Sequence, residues 1–161
     1  MNERLEYQQL ECYKLANDMQ KEKLNREPYF DLGKLPGKQL QTEFAEYIYY
    51  RGTQVSILTI KAERQHFNSL CEFFKKPSHQ ENSLLDREKD IWIKQLKLWM
   101  MQIGRALTKH KVTSIQTESV EKAALIRYFE NLLEFTLDRS ETNELAKAVS
   151  YTHLTLPTIL R

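Results

Sequence analysis

The chain has 161 residues, of which 41% are hydrophobic and 29% charged, with four glycines, four prolines and a formal net charge of +2. That length holds one domain, or one small domain with an N-terminal extension. An aromatic content of 11% supplies a core and excludes a disordered chain. No run approaches the roughly 18 apolar residues of a membrane span, and the start Met1-Asn2-Glu3-Arg4-Leu5-Glu6 is no signal peptide. Cys12 and Cys71 are too few and too far apart for a disulfide framework or a zinc knuckle, so they read as reduced thiols of a cytoplasmic protein.

The charge is unevenly spread. Residues 1–50 carry seven Lys/Arg against nine Asp/Glu, residues 51–111 carry twelve against six, and residues 112–148 carry four against seven. The middle third is therefore basic, and a locally positive face binds phosphate even on a nearly neutral chain.

Five helices follow from the apolar spacing. The first, over about Asn2 to Asn25, is charged and carries a thin stripe at Leu5, Cys12, Leu15, Ala16 and Met19. Pro28, Gly33, Pro36 and Gly37 read as a linker. The second helix starts near Lys38 with Leu40, Phe44, Tyr47 and Ile48 on one face, and Gly52 is placed to end it in a left-handed cap. The third begins at Ser56 or Thr59, buries Ile60, Phe67, Leu70, Cys71 and Phe74, and stops before Pro77. The fourth begins near Ser83 and runs through Trp92, Leu96, Trp99, Met100, Ile103 and Leu107. A basic loop, Arg105 to Lys111, leads to the fifth, which opens near Thr113 or Thr117. Its apolar line is Ala124, Leu125, Tyr128, Phe129, Leu132, Leu133 and Thr136. No alternating strand pattern of useful length occurs, so the fold class is all-α: a four-helix bundle over residues 38–138, preceded by a polar N-terminal helix and linker over 1–37.

No constellation for catalysis stands out. His66, His79 and His110 are not at metal-ligand spacing and read as surface or helix-edge residues. The four glycines are too scattered for a phosphate-binding loop, and the carboxylates interleave with Lys and Arg as on solvated helix faces. What remains is surface. On the third helix Lys61, Gln65, Asn68, Ser69 and Lys76 project outward. Near the fifth, Gln116, Ser119 and Lys122 follow the Lys109-His110-Lys111 loop. Gln and Asn read adenine edges in a major groove, Lys holds phosphates, and helix N-termini add N–H donors.

The stretch Thr42-Glu43-Phe44-Ala45-Glu46-Tyr47-Ile48, then Arg51-Gly52, Ser56-Ile57-Leu58-Thr59-Ile60 and Phe67-Asn68-Ser69-Leu70-Cys71-Glu72-Phe73-Phe74, resembles the opening of a tyrosine recombinase core-binding domain. So do the runs Leu98 to Gly104 and Ile126 to Phe135. These are the phage- and transposon-type integrases of bacteria. The resemblance covers about 100 residues at the level of fold. It implies a SAM-like four-helix bundle, one half of a clamp around double-stranded DNA, with the third and fifth helices toward the duplex. Lys61, Gln65, Lys109, Lys111, Gln116, Ser119 and Lys122 are then the DNA-binding candidates. In this family strand cleavage by a tyrosine belongs to a separate C-terminal domain, so the resemblance implies no catalytic residue, cofactor or metal here. It also implies other recombinase protomers as partners, and neither a membrane nor a small-molecule ligand.

The last stretch, Val149 to Thr158, resembles one reading frame of the transposase end sequence and adapter used to build short-read DNA libraries. Its reading implies that natural sequence stops near Ala148 after the start of a linker over 139–148. Residues 149–161 are then an artefact, the chain is the front of a longer recombinase, and Tyr151 and His153 drop out of every functional argument. A second reading is a helical protein-interaction module using the first helix and Tyr47, Tyr49 and Tyr50. A small helical enzyme ranks last, for want of any constellation. The discriminating feature is where the basic charge of residues 51–111 lands in the fold.

Overall fold

A computed structural model describes the backbone of residues 3–24, 28–107 and 115–159, with side chains at 3–24, 28–103, 121–145 and 148. Helices dominate it. They are α1 (Glu11–Lys14), α2 (Asp18–Glu22), α3 (Lys38–Gln54), α4 (Ile57–Phe74), α5 (Lys89–Leu107) and α6 (Ile115–Ile159). The class is all-α, with one small sheet of strands β1 (Arg4–Glu6) and β2 (Tyr29–Asp31). Among the described residues no helix is long and apolar enough to cross a membrane.

The N-terminal segment departs from the expected single polar helix. Its buried residues Leu5 and Tyr7 alternate with exposed or half-buried neighbours, which is a strand period rather than a helical one. Leu5 therefore pairs with Phe30 across the antiparallel ladder, flanked by Arg4 opposite Asp31 and Glu6 opposite Tyr29. Two residues of the expected helical stripe lie in solvent, Leu15 at 80% and Met19 at 70% exposure. The chain turns instead through short capped pieces. Asn17 accepts from the Gln20 N–H at 2.8 Å to start α2, and Asp31 accepts from Gly33 N–H at 3.1 Å to start a 3-10 turn over Leu32–Lys34. Leu5, Tyr7, Leu10, Phe30 and Leu35 all enter the core, so residues 1–37 include part of the domain rather than a loosely attached extension.

Ser56 accepts from Thr59 N–H and starts α4 as its position predicts. Gly52 ends nothing. It lies inside α3 with no positive φ, and a Cβ there would come within 3.2 Å of Leu10 Cβ. Its smallness lets the N-terminal segment press against α3. The inward residues expected on α3 and α4 are buried, as are Trp92, Leu96 and Met100 of α5 and Leu125 through Thr136 at helical spacing on α6.

One aromatic path runs through this core. Tyr7 meets Phe30 at 5.8 Å between centroids, Phe30 meets Phe67 at 5.2 Å, and Phe44 meets Phe67 at 5.7 Å and Phe74 at 6.0 Å. Phe74 then meets Trp92 at 5.5 Å, and Trp92 meets Phe129 at 6.1 Å. Edge-to-face pairs of this kind contribute beyond their buried area. They tie the N-terminal sheet to α6 through α3, α4 and α5.

Ser83 caps a 3-10 turn, Leu84–Asp86, and α5 begins at Lys89 rather than at Ser83. The turn is held down by Trp92 Nε1, which donates to Leu84 O at 2.8 Å. Arg87 lies 4.7 Å over the Trp92 ring and donates to Glu81, Gln95 and the Ser78 carbonyl. His79 is buried, not a surface residue. It stacks on Phe73 at 4.0 Å with its Nδ1 2.9 Å from Phe73 O. Of the two predicted openings of the fifth helix, Thr113 lies outside the described residues and Thr117 lies inside α6, which is already helical at Ile115. The helix itself is unbroken across residues 138 and 139, where a linker was expected, and its 45 residues span about 68 Å at 1.5 Å each.

Candidate nucleic-acid interface

Of the seven residues expected to face DNA, the structure leaves two available at described side chains. Lys61 on α4 is engaged: its Nζ donates to the Lys23 carbonyl at 2.5 Å and so fastens α2's trailing end to α4. A phosphate contact at Lys61 would have to displace that bond. Gln65, one turn further along α4, is exposed, and Lys122 on α6 is half-buried. The side chains of Gln116 and Ser119 lie outside the described ones although their backbone is in α6, and Lys109, His110 and Lys111 lie outside the described residues altogether. Asn68 and Ser69 are half-buried, and Lys76 is exposed beyond the end of α4.

A groove bearing lysines lies elsewhere, on α5. A groove of about 430 Å³ between α5 and α6 is lined by Lys89, Asp90, Ile93, Lys94, Lys97, Leu98 and Glu130. Why α5 puts lysines there follows from its periodicity. Trp92, Leu96 and Met100 occupy the inward face, so positions 94 and 97 fall on the outer one. Lys89 at the groove's end donates to Glu134 at 2.5 Å, and that bond raises its pKa. Lys94 and Lys97 are exposed and form no ion pair among the described residues. The signal is present in the sequence as two lysines three positions apart, opposite the Trp92 face.

The second polar cluster, between α3, α4 and α6, is built differently. Arg51 Nη2 and Glu63 Oε1 lie 2.5 Å apart, and the guanidinium pKa is raised mainly by that bond. Tyr47 and Tyr128 meet edge to face at 5.5 Å, and His66 leans on Tyr128 at 5.6 Å. Burial pushes the Tyr47 phenol up to about 12 and the Tyr128 phenol higher than its ordinary value. Both stay protonated near neutral pH, which is the opposite of what activates a tyrosine as nucleophile. Burial also lowers the His66 pKa, and the nearby carboxylates of Glu63 and Glu121 only partly restore it. Tyr47 belongs to the core, and Tyr50 stacks on Phe135 at 4.9 Å, so the expected aromatic contact surface of Tyr47, Tyr49 and Tyr50 does not form as one patch.

Among the described residues no group of three or more His, Cys, Asp or Glu is placed to hold a metal ion. The chemistry that the groove offers is anion contact by lysine side chains that form no ion pair among the described residues. The sequence matches no protein-family profile, and neither a curated protein nor a solved structure shows significant similarity to it.

Proposed function

We propose that this protein binds double-stranded DNA through phosphate contacts, as the core-binding domain of a tyrosine-type recombinase working in the cytoplasm, and that it cuts no strand itself. The observation that carries the reading is the pair Lys94 and Lys97 in the α5–α6 groove, neither in an ion pair among the described residues, on the segment of the chain with the largest charge excess. The all-α class is the one the family resemblance implies, and Gln65, exposed on α4, carries an amide able to read a base edge. Asp90 and Glu130 also line the groove, so affinity is expected to be low and dominated by counterion release.

An electrophoretic shift series with a generic duplex, over rising salt, tests this. Each phosphate neutralised adds about −0.9 to the slope of log affinity against log salt, so Lys94 and Lys97 alone give about −1.8. Absence of any shifted complex at low salt would refute the reading.

A further inference from the structure

The outer face of α5 carries something that a duplex does not use. Ile91, Leu98 and Met101 are each about half exposed, and their spacing of seven and three residues aligns them in one stripe with Lys94 in it and Lys97 at its edge. Phosphate contact explains the lysines. It does not explain three large apolar side chains held in solvent.

The complement is on the middle of α6, past its contacts with α5. From residue 139 to 145 every described side chain except half-buried Ser140 is exposed. Leu137 is half exposed and Leu145 is exposed at 67%. Glu141 and Glu144 fall on the same side of the helix as these leucines, at offsets of four and seven from Leu137. Asp138 adds a third acid, and Arg139, the one cation between residues 137 and 145, is already paired to Glu46 at 2.8 Å. The apolar line continues at Leu137 into a cleft of about 280 Å³ lined by Leu84, Leu85 and Leu133. The two stripes match in length, about 15 Å from Ile91 to Met101 and about 12 Å from Leu137 to Leu145. They are opposite in charge.

The arm cannot reach α5 of its own chain. Lys89 at the start of α5 bonds Glu134 and the groove pairs residues 93–98 with Glu130, so α5 and α6 run antiparallel. Leu145 then lies roughly 16 Å beyond the first residue of α5, on a helix that points away from it.

We propose that the acidic, leucine-bearing arm of α6 (residues 137–145) docks on the lysine and apolar stripe of α5 in a second copy of this chain, and that it competes there with DNA. The competition rests on the proposed function, whereas the docking does not. Each copy offers one stripe and one arm, so two copies can exchange both contacts and close as a dimer.

Sedimentation velocity on the full chain without DNA tests the docking. The sedimentation coefficient should rise with concentration in low salt and fall back as salt is added. Lys94→Glu with Lys97→Glu, and separately Glu141→Lys with Glu144→Lys, should each weaken association by about tenfold or more while far-ultraviolet circular dichroism stays unchanged. Mixing the two double variants should restore it, because both contacts between unlike copies then regain opposite charges. A wild-type chain that stays monomeric, an association indifferent to both variants, or a mixture that stays dissociated would each overturn the docking. If association behaves as stated but added duplex does not lower it, only the competition fails. If the chain binds duplex yet never associates, the docking fails and the DNA reading stands.

Discussion

The carboxylate of Glu43, buried on α3, accepts from the Ser83 hydroxyl at 2.6 Å and from the Leu84 N–H at 2.9 Å, forty positions along the chain. This carboxylate holds the 3-10 turn that precedes α5 and therefore sets where α5, with its lysines, starts. Glu43→Ala leaves a buried N–H and a hydroxyl without their acceptor and should cost about 2–4 kcal/mol. Urea unfolding followed by circular dichroism measures it. A loss under about 0.5 kcal/mol would mean that the turn is held by Trp92 and Arg87 alone.

Gly52 and Leu10 provide a second test. In an exposed helix Gly→Ala gains about 1 kcal/mol of propensity. Here the new methyl meets fully buried Leu10 at 3.2 Å and 3.3 Å, so overpacking should win and Gly52→Ala should destabilise by about 1 kcal/mol net. Gly37 is the N-cap of α3 and an added Cβ there meets nothing within 4 Å, so Gly37→Ala shows the loss of a cap glycine without overpacking. Thermal denaturation of both variants, and of Gly52→Ala combined with Leu10→Ala, checks this. The combined loss should be smaller than the sum, since the truncated Leu10 makes room.

How much of this was legible in the sequence depended on where each residue's partner lay. Ser56, Leu40, Phe44, Phe67, Trp92 and Phe129 declare themselves within a few positions, through a cap or a helical repeat, and the structure places them accordingly. Leu5 and Tyr7 do not. The strand of Leu5 pairs with Tyr29 to Asp31, and Tyr7 just after it donates to the Pro28 carbonyl, more than twenty residues away, and three residues of strand are too short to show a period. Gly52 was misread for the same reason, because its cause is Leu10 and not its own helix. Glu43 looked like one more solvated carboxylate until Ser83 was brought to it. His79 looked like a surface residue until Phe73 and its carbonyl were found against it. For the candidate site, Lys61 is half-buried, and the Lys23 carbonyl that occupies it comes from a segment whose course the sequence does not show.

Acid should weaken the fold through its histidines. Burial lowers the His79 pKa below its usual 6.5, with the Phe73 carbonyl opposing and the cations of Lys76 and Arg87 adding to the shift, and burial likewise lowers that of His66. A histidine held neutral in the fold binds its proton more readily when unfolded. Its stabilising contribution is therefore complete above about pH 6.5 and is lost as pH falls through the lower folded value. Urea midpoints measured at pH 7.5 and pH 5.5 should drop toward acid, and His79→Gln should reduce the drop. An equal drop in the variant would assign the effect to other groups.

Both thiols should be slow to react in the native protein. Burial pushes Cys71 up to about 12 and raises Cys12 as well, so little thiolate exists at pH 8. Labelling by a thiol-specific chromogenic disulfide should follow unfolding rather than reagent concentration for Cys71. A fast phase that persists in Cys12→Ser would contradict its burial.

The proposal of DNA binding through α5 stands or falls most directly on one comparison. Fluorescence anisotropy of a labelled duplex should be measured against salt for the wild type and for Lys94→Gln with Lys97→Gln. Those substitutions remove charge without creating repulsion. The prediction is weak binding by the wild type, with a salt slope made shallower in the variant by about 1.8, the share of two phosphate contacts. A variant that binds with the wild-type affinity and slope would show that the α5 groove is not where this protein meets DNA.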